Sequence, residues 1–207
     1  MARPREFDEA SALTSARDQF WATGFAGTSM DAIASATGLG KGSLYGAFGG
    51  KRELFRRVFD DYCAAAVGSA AERLDGGDDG ALERLTGYLL EHATSSAEPG
   101  HRACLLAKGT AELAEHDDVV AARSREAFDG LRSAFAAELE RCRRHGDLSP
   151  DTDVEQVAGL LVTVHRGIEA LGEAGTDAAT LRGVAQSALD LLPRPAPRRR
   201  RSAAPRD

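Results

Sequence analysis

Cysteine is scarce in this chain: Cys63, Cys104 and Cys142 stand far apart in 207 positions, with no Cys-x-x-Cys pair. That speaks against a disulfide framework and a structural zinc site, and reduced thiols are expected. Long apolar runs are missing too. No stretch reaches the roughly eighteen apolar residues of a membrane-spanning helix, and the opening "MARPREFDEA" is charged where a secretory signal has its apolar centre. A soluble, cytoplasmic protein without a membrane partner is expected. Histidine is sparse, and the five present form no His-x-x-x-His pair. A helical-bundle enzyme needs convergent acid, base or metal groups, which this pattern does not supply. No catalytic residue, metal or cofactor is therefore expected.

What is present is divided by charge. Residues 1–60 carry eight Lys/Arg against seven Asp/Glu, residues 61–192 twelve against twenty-four, and residues 193–207 six arginines against one aspartate. The net charge of −6 thus conceals an acidic body with ends that lean basic. Such a chain touches a polyanion locally and repels it elsewhere.

Helical periodicity dominates and no segment reads as a strand. Ala10, Leu13, Ala16 and Phe20 recur at three- and four-residue steps, a stripe that ends at Gly24. Thr28 and Ser29 can cap a short second helix whose Met30, Ile33 and Ala34 face inward, with Gly38 as its stop. A third short helix, about Lys41 to Phe48, offers Leu44 and Phe48 on one face, and a longer fourth runs from the "GGK" break to about Leu74. After the linker "DGGDDG", further helices are predicted at about 80–95, 103–115, 118–145, 151–174 and 177–191. The fold class is all-α with about nine helices. It divides into an amino-terminal three-helix unit at 1–60 and a helical bundle at 61–192. Residues 193–207, "PRPAPRRRRSAAPRD", lack any large apolar side chain to offset the entropy of ordering and read as a disordered basic tail.

The glycine-rich "GLGKGSLYGAFGGK", residues 38–51, looks at first like a nucleotide loop. A Walker loop needs Gly five places before Gly-Lys and Ser/Thr after it, whereas Gly40-Lys41 has Ser35 and Gly42 there, and Gly50-Lys51 has Tyr45 and Arg52. The dinucleotide fingerprint fails as well, since Ser43 and Tyr45 stand where its third glycine belongs. Two short helices joined by a tight glycine turn are instead the layout of a helix-turn-helix, whose second helix enters the major groove amino end first. Lys41, Gly42 and Ser43 then sit at the positive end of a helix dipole, and Tyr45 and Gly46 lie opposite Leu44 and Phe48, free for DNA. Lys51 opens the fourth helix, where a cation opposes the dipole unless a DNA phosphate is near; a solvated lysine is the bland alternative.

"GFAGTSMDAIASATGLGKGSLYGAFGGKRELF", Gly24 to Phe55, closely resembles the DNA-binding domain of the TetR family of bacterial transcriptional regulators. The resemblance implies a helix-turn-helix at about 29–48, with Thr28 and Ser29 on phosphate at the head of the second helix. Lys41, Gly42, Ser43, Tyr45 and Gly46 would face the groove, and Lys51 would hold the backbone. Many members place an aromatic residue or histidine after Leu-Tyr, where this chain has Gly46-Ala47. Fewer side chains then reach base edges. Arg3 and Arg5 could add an amino-terminal arm, with a merely disordered basic start as the alternative.

For the remainder, the resemblance implies a ligand-binding and dimerisation domain. "RACLLAKGTAELAEHDDVV" and "HGDLSPDTDVEQVAGLLVTVHRGIEAL" resemble the branch that includes electrophile- and copper-responsive repressors. Leu160, Leu161, Val164, Ile168 and Leu171 form one stripe, and Leu181, Val184, Ala188 and Leu191 another. They would pair with a second subunit, as a two-fold operator requires, or simply close the monomer core. Candidate pocket residues are Tyr62, Tyr88, His92, Cys104, Lys108, Phe128, Phe135 and His165, each also readable as core. Lys108, one turn beyond Cys104, could lower its thiol pKa for reaction with electrophiles. His101 and Cys104 could hold a soft metal, or Cys104 could be buried and inert. The function expected is a homodimeric repressor of a palindromic operator, released by a small-molecule inducer. A helical-bundle enzyme and an interaction module that never meets DNA are the alternatives.

Overall fold

The computed structural model describes residues 8–102 and 104–195, so the arginine arm and most of the basic tail lie outside the described residues. Among those described there are nine helices and no strand. They are α1 (Glu9–Gly27), α2 (Met30–Thr37), α3 (Lys41–Phe48), α4 (Lys51–Arg73), α5 (Ala81–Ser95), α6 (Leu105–Leu113), α7 (Asp118–His145), α8 (Val154–Glu173) and α9 (Ala178–Asp190). Side-chain caps start many of them: Asp8, Ser29, Asp117, Asp153 and Asp177 each accept an amide of the first turn.

The first stripe is shifted from expectation. Ala12, Ala16, Phe20 and Gly24 are buried, Leu13 is half-buried and Ala10 is exposed, so the four-residue row 12, 16, 20 and 24 faces inward. Gly24 does not end α1 but breaks it, at φ 72° and ψ 176°, a conformation essentially reserved for glycine. The break frees the amide of Ala26, and Glu112 of α6 reaches across to accept it at 3.0 Å. Beyond it Phe25 joins Phe20, Phe55 and Phe59 in an aromatic cluster between α1 and α4.

α1 packs on α2 and α4, while α5, α7, α8 and α9 form the larger bundle. α4 belongs to both: it packs on α1, α6 and α7 and runs unbroken through residue 60, where the sequence reading set its boundary. The tie is electrostatic. Asp117, 4% exposed, caps α7 through the amides of Val119 and Val120, both at 3.2 Å. The same carboxylate accepts Arg52 at 3.0 Å and a bidentate pair of bonds from Arg56 at 3.0 and 3.1 Å. Planar guanidinium and carboxylate match in this geometry, which is stronger than a single contact.

Burial alone would raise the Asp117 pKa, but the bonds from Arg56, the Val120 amide and Arg52 outweigh it and hold the carboxyl below its ordinary value. A carboxyl depressed in the folded state stabilises the fold above its unfolded pKa, and that contribution is lost as pH falls through the folded value. Asp117→Asn keeps the cap and removes the charge. It is expected to cost about 1–3 kcal/mol at neutral pH, and in urea melts to flatten the loss of stability that the parent shows below about pH 4.

Candidate nucleic-acid interface and ligand cavity

α2 and α3 meet across three residues, and Gly38 makes the turn at φ 68°. Ile33, Leu44 and Phe48 are buried between the helices and the core, which leaves the opposite face of α3 outward. Lys41, Gly42, Ser43, Tyr45 and Gly46 are all exposed on it, Tyr45 by 51%. A Cβ added at Gly42 or Gly46 would meet nothing within 4 Å, so the backbone itself is open to a close partner there. α3 starts at Gly40 with no side-chain cap, and its first amides remain usable by an anion. Lys41 is held at the mouth of this face by an exposed ion pair with Asp31 of α2. Ser29 caps α2 by accepting the Ala32 amide at 3.0 Å, which leaves its hydroxyl proton to donate.

Two members of the predicted set point elsewhere. Thr28 is 2% exposed, and its hydroxyl is shared among the Gly24 carbonyl at 2.6 Å, Thr23 and the Gln19 carbonyl. Its side chain closes the end of α1 and does not face outward. Lys51 donates to the carbonyls of Phe25 and Thr28, both at 2.8 Å, and lies 4.3 Å from the centre of the Phe25 ring. The cation that seemed unfavourable at the head of α4 is satisfied by the carbonyl end of α1, so no phosphate is needed to explain it.

A second site is an open cavity where α4, α5 and α8 meet. A cavity of about 390 Å³ is lined by Tyr62, Tyr88, His92, Cys104 and His165, five of the eight predicted pocket residues. The other three lie outside its lining. Phe135 is fully buried and stands edge-on to Tyr88 and His165, shaping the wall from behind. Phe128 packs half-buried against the core. Lys108 opens on a neighbouring cavity, 3.4 Å from both the Trp21 carbonyl and Glu173. Its ammonium is thus directed away from the role of activating Cys104. The thiol instead accepts the Tyr62 hydroxyl at 3.5 Å, while burial, with Cys104 beside it, pushes the Tyr62 pKa up.

Burial pulls the two histidines the other way, His92 to about 4 and His165 well below its ordinary value, so both are neutral at pH 7. Glu169 is raised, chiefly by burial, against the opposing charge of its Arg166 partner. Sequence reasoning missed Glu169, Arg166 and Trp21, which line the cavity too. The legible signal was His165-x-x-x-Glu169, a spacing that puts both side chains on one helical face.

The apolar stripes divide. Leu161, Ile168, Leu181 and Ala188 are buried inside the chain and cannot meet a partner, as the four-residue rows of α8 and α9 turn them inward. Leu160, Leu171, Val184 and Leu191 are exposed by 47, 45, 38 and 76%, and Val164 is half-buried.

An exposed glycine-bearing α3 after a tight glycine turn, joined by one shared helix to a bundle with a cavity, defines a helix-turn-helix regulator with a ligand-binding type of body. Sequence models agree: "Bacterial regulatory proteins, tetR family" matches residues 12–58 and "Tetracyclin repressor-like, C-terminal domain" matches residues 81–188. The chain belongs to the TetR family of bacterial transcription regulators. It is 29% identical over 163 residues to the HTH-type transcriptional regulator YezE of Bacillus subtilis (strain 168), covering 78% of this chain and 84% of that protein. With the HTH-type transcriptional repressor ComR of Escherichia coli (strain K12) it shares 26% identity, over 92% of this chain and 91% of the other. Among solved structures, a cysteine-substituted form of the TetR family regulator CifR, complexed with 26-bp double-strand operator DNA, superposes with a TM-score of 0.79. It is 30% identical, with 93% of this chain and all of that one covered.

The clamp role of Lys51 has a direct consequence. Lys51→Ala is expected to lower stability by about 1–3 kcal/mol, read by urea denaturation of the DNA-free protein. A lysine that served only a phosphate would leave that curve unchanged.

Proposed function

We propose that the chain is a cytoplasmic repressor that binds a palindromic operator as a homodimer and lets go when a small molecule fills the cavity at Tyr62, Tyr88, His92 and Cys104. The observation that carries the reading is the outward face of α3, bare of bulky side chains except Tyr45. A backbone so open can approach phosphate closely, while Lys41, Ser43 and Tyr45 reach base edges and Ser29 donates to a phosphate from the head of α2. The likeness to CifR in complex with its operator supports this placement.

Homodimerisation is supported by the exposed Leu160 and Leu171 of α8 and Val184 of α9, with Leu191 just beyond the end of α9, since the two helices adjoin. Residues 1–60 as DNA-binding unit and 61–192 as ligand and dimer unit are supported by the separate matches at 12–58 and 81–188. Membership of the electrophile- and copper-responsive branch is supported by Cys104, whose thiol lines the cavity. No described helix is long and apolar enough to cross a membrane.

In a binding assay with the DNA upstream of its own gene, Tyr45→Ala is expected to weaken specific binding by about 1–3 kcal/mol without changing the melting temperature. Lys41→Ala is expected to weaken specific binding by about 1–3 kcal/mol and to relax the base preference at the position it reads. Wild-type affinity in both variants contradicts the assignment of this face. For the inducer reading, N-ethylmaleimide is expected to release operator from the parent and not from Cys104→Ser; equal release from both removes Cys104 from sensing.

A further inference from the structure

DNA reading and release leave unused the cavity onto which Lys108 opens. This space of about 430 Å³ lies where Trp21 of α1, Lys108 of α6, Glu173 at the end of α8 and the chain after α5 meet. Trp21, His101 and Arg102 edge the inducer cavity too, but Tyr62, Tyr88, His92 and Cys104 take no part in this one. A water occupies about 30 Å³ in the liquid, so the space is that of a small ligand.

Three polar groups on its wall lack what their chemistry calls for. Ser96, 1% exposed, keeps its hydroxyl buried and without a hydrogen-bond partner. Buried polar atoms are rarely left so, and each exception calls for a reason. Lys108 is held only loosely, at 3.4 Å from both the Trp21 carbonyl and Glu173, where a charge-assisted bond runs to about 2.7–2.9 Å. Glu98 is exposed on the same wall and meets no cation among the described residues. Arg102, by contrast, is engaged by Asp18 at 2.8 Å.

Charge decides between ligands. A simple anion that took Lys108 would strip Glu173 of its counter-ion beside the unpaired Glu98, and two carboxylates would face the new negative charge. A molecule of both signs avoids this. Its carboxylate takes Lys108 and the Ser96 hydroxyl while its ammonium takes Glu173 and Glu98, so one loose ion pair is exchanged for two and no charge is left uncompensated. Lys108 and Glu173 are 3.4 Å apart, which requires the charges of the ligand to be close together as well. An ammonium and a carboxylate on one carbon satisfy this. The indole of Trp21 gives the rest of the molecule an apolar wall.

From these observations we infer that the cavity between α1, α6 and the end of α8 is a binding site for a free α-amino acid, with Lys108 and Ser96 on the carboxylate and Glu98 and Glu173 on the ammonium. Occupation has a route to the DNA-binding unit. Lys108 ties α6 to the Trp21 carbonyl of α1, and Glu112, one turn further along α6, ties it to the Ala26 amide. A ligand that takes Lys108 releases the first of these ties. This effect on DNA rests on the function proposed above; the binding itself does not.

The test is a thermal-shift survey of the full-length, DNA-free protein with each of the common L-amino acids, followed by titration calorimetry of those that raise the melting temperature. Saturable binding of at least one, at one molecule per chain, is expected. Its N-acetyl form, which has no ammonium, and its amide, which has no carboxylate, should each bind more than about 10-fold more weakly. Lys108→Gln is expected to weaken binding by more than about 10-fold, and Ser96→Ala, the milder change, by about 10-fold. Melting of each ligand-free variant separates loss of site from loss of fold. Absence of saturable binding by every amino acid overturns the site, as does binding of the N-acetyl form or the amide as tight as that of the amino acid, or parental affinity in both variants. Because the readout is ligand on DNA-free protein, failure here leaves the operator reading standing, and failure of that reading leaves this result intact.

Discussion

The buried carboxylate of Asp117 is the constraint on which the arrangement of the two halves depends. It begins α7 by accepting two amides and at the same time gathers Arg52 and Arg56 from α4. Arg56 could not be replaced by lysine with the same effect, because only a planar fork fills both oxygens. Since α4 also carries the aromatic cluster against α1, the register of the helix-turn-helix on the bundle follows from this one group. Lys51 and Glu112 reinforce it from either side, each serving backbone atoms that the break at Gly24 and the end of α1 leave unpaired.

The same helix reaches the cavity. Arg52 and Arg56 lie in its first two turns, and Tyr62 and Cys63 follow less than three turns on, with Tyr62 facing the 390 Å³ space. In the proposed account, a ligand that needs the volume beside Tyr62 bears on α4, and a tilt of α4 carries α3 with it. Two recognition helices of a dimer read successive major grooves only at one spacing, so a small tilt is sufficient to lose the match. The acidic body serves this logic: it gives DNA little reason to remain once the groove contacts are gone.

Much of the fold was legible because its signals are local. The stripe on α2, Gly38 at a positive φ, and Leu44 with Phe48 one turn apart each need only a few residues of context, and α7 was placed at its observed limits. What escaped depends on distant partners. Ala10 read as core because three- and four-residue steps connect it to Ala16 and Phe20 as readily as they connect Ala12, and only the packing of α1 selects the row through Ala12. Lys51 looked frustrated because its carbonyl partners come from 23 and 26 residues away. Thr28 was assigned a phosphate for want of the Gly24 carbonyl that takes its hydroxyl. In the bundle, helical periodicity marks an apolar face without saying which neighbour covers it. Leu161 and Leu160 were therefore grouped together, though one is core and the other is exposed. The His165 to Glu169 spacing was visible, but His92 enters from another helix and only the fold brings the three together.

The central claim is that this chain reads two-fold DNA through α3. Selection of bound duplexes from a random library by the purified protein, followed by sequencing, tests it most directly. Enrichment of an inverted repeat whose half-sites lie about one or more helical turns apart, bound by two or an even number of chains, is the expected result. Recovery of no common sequence, or of a motif without two-fold symmetry that a single chain binds, would contradict it.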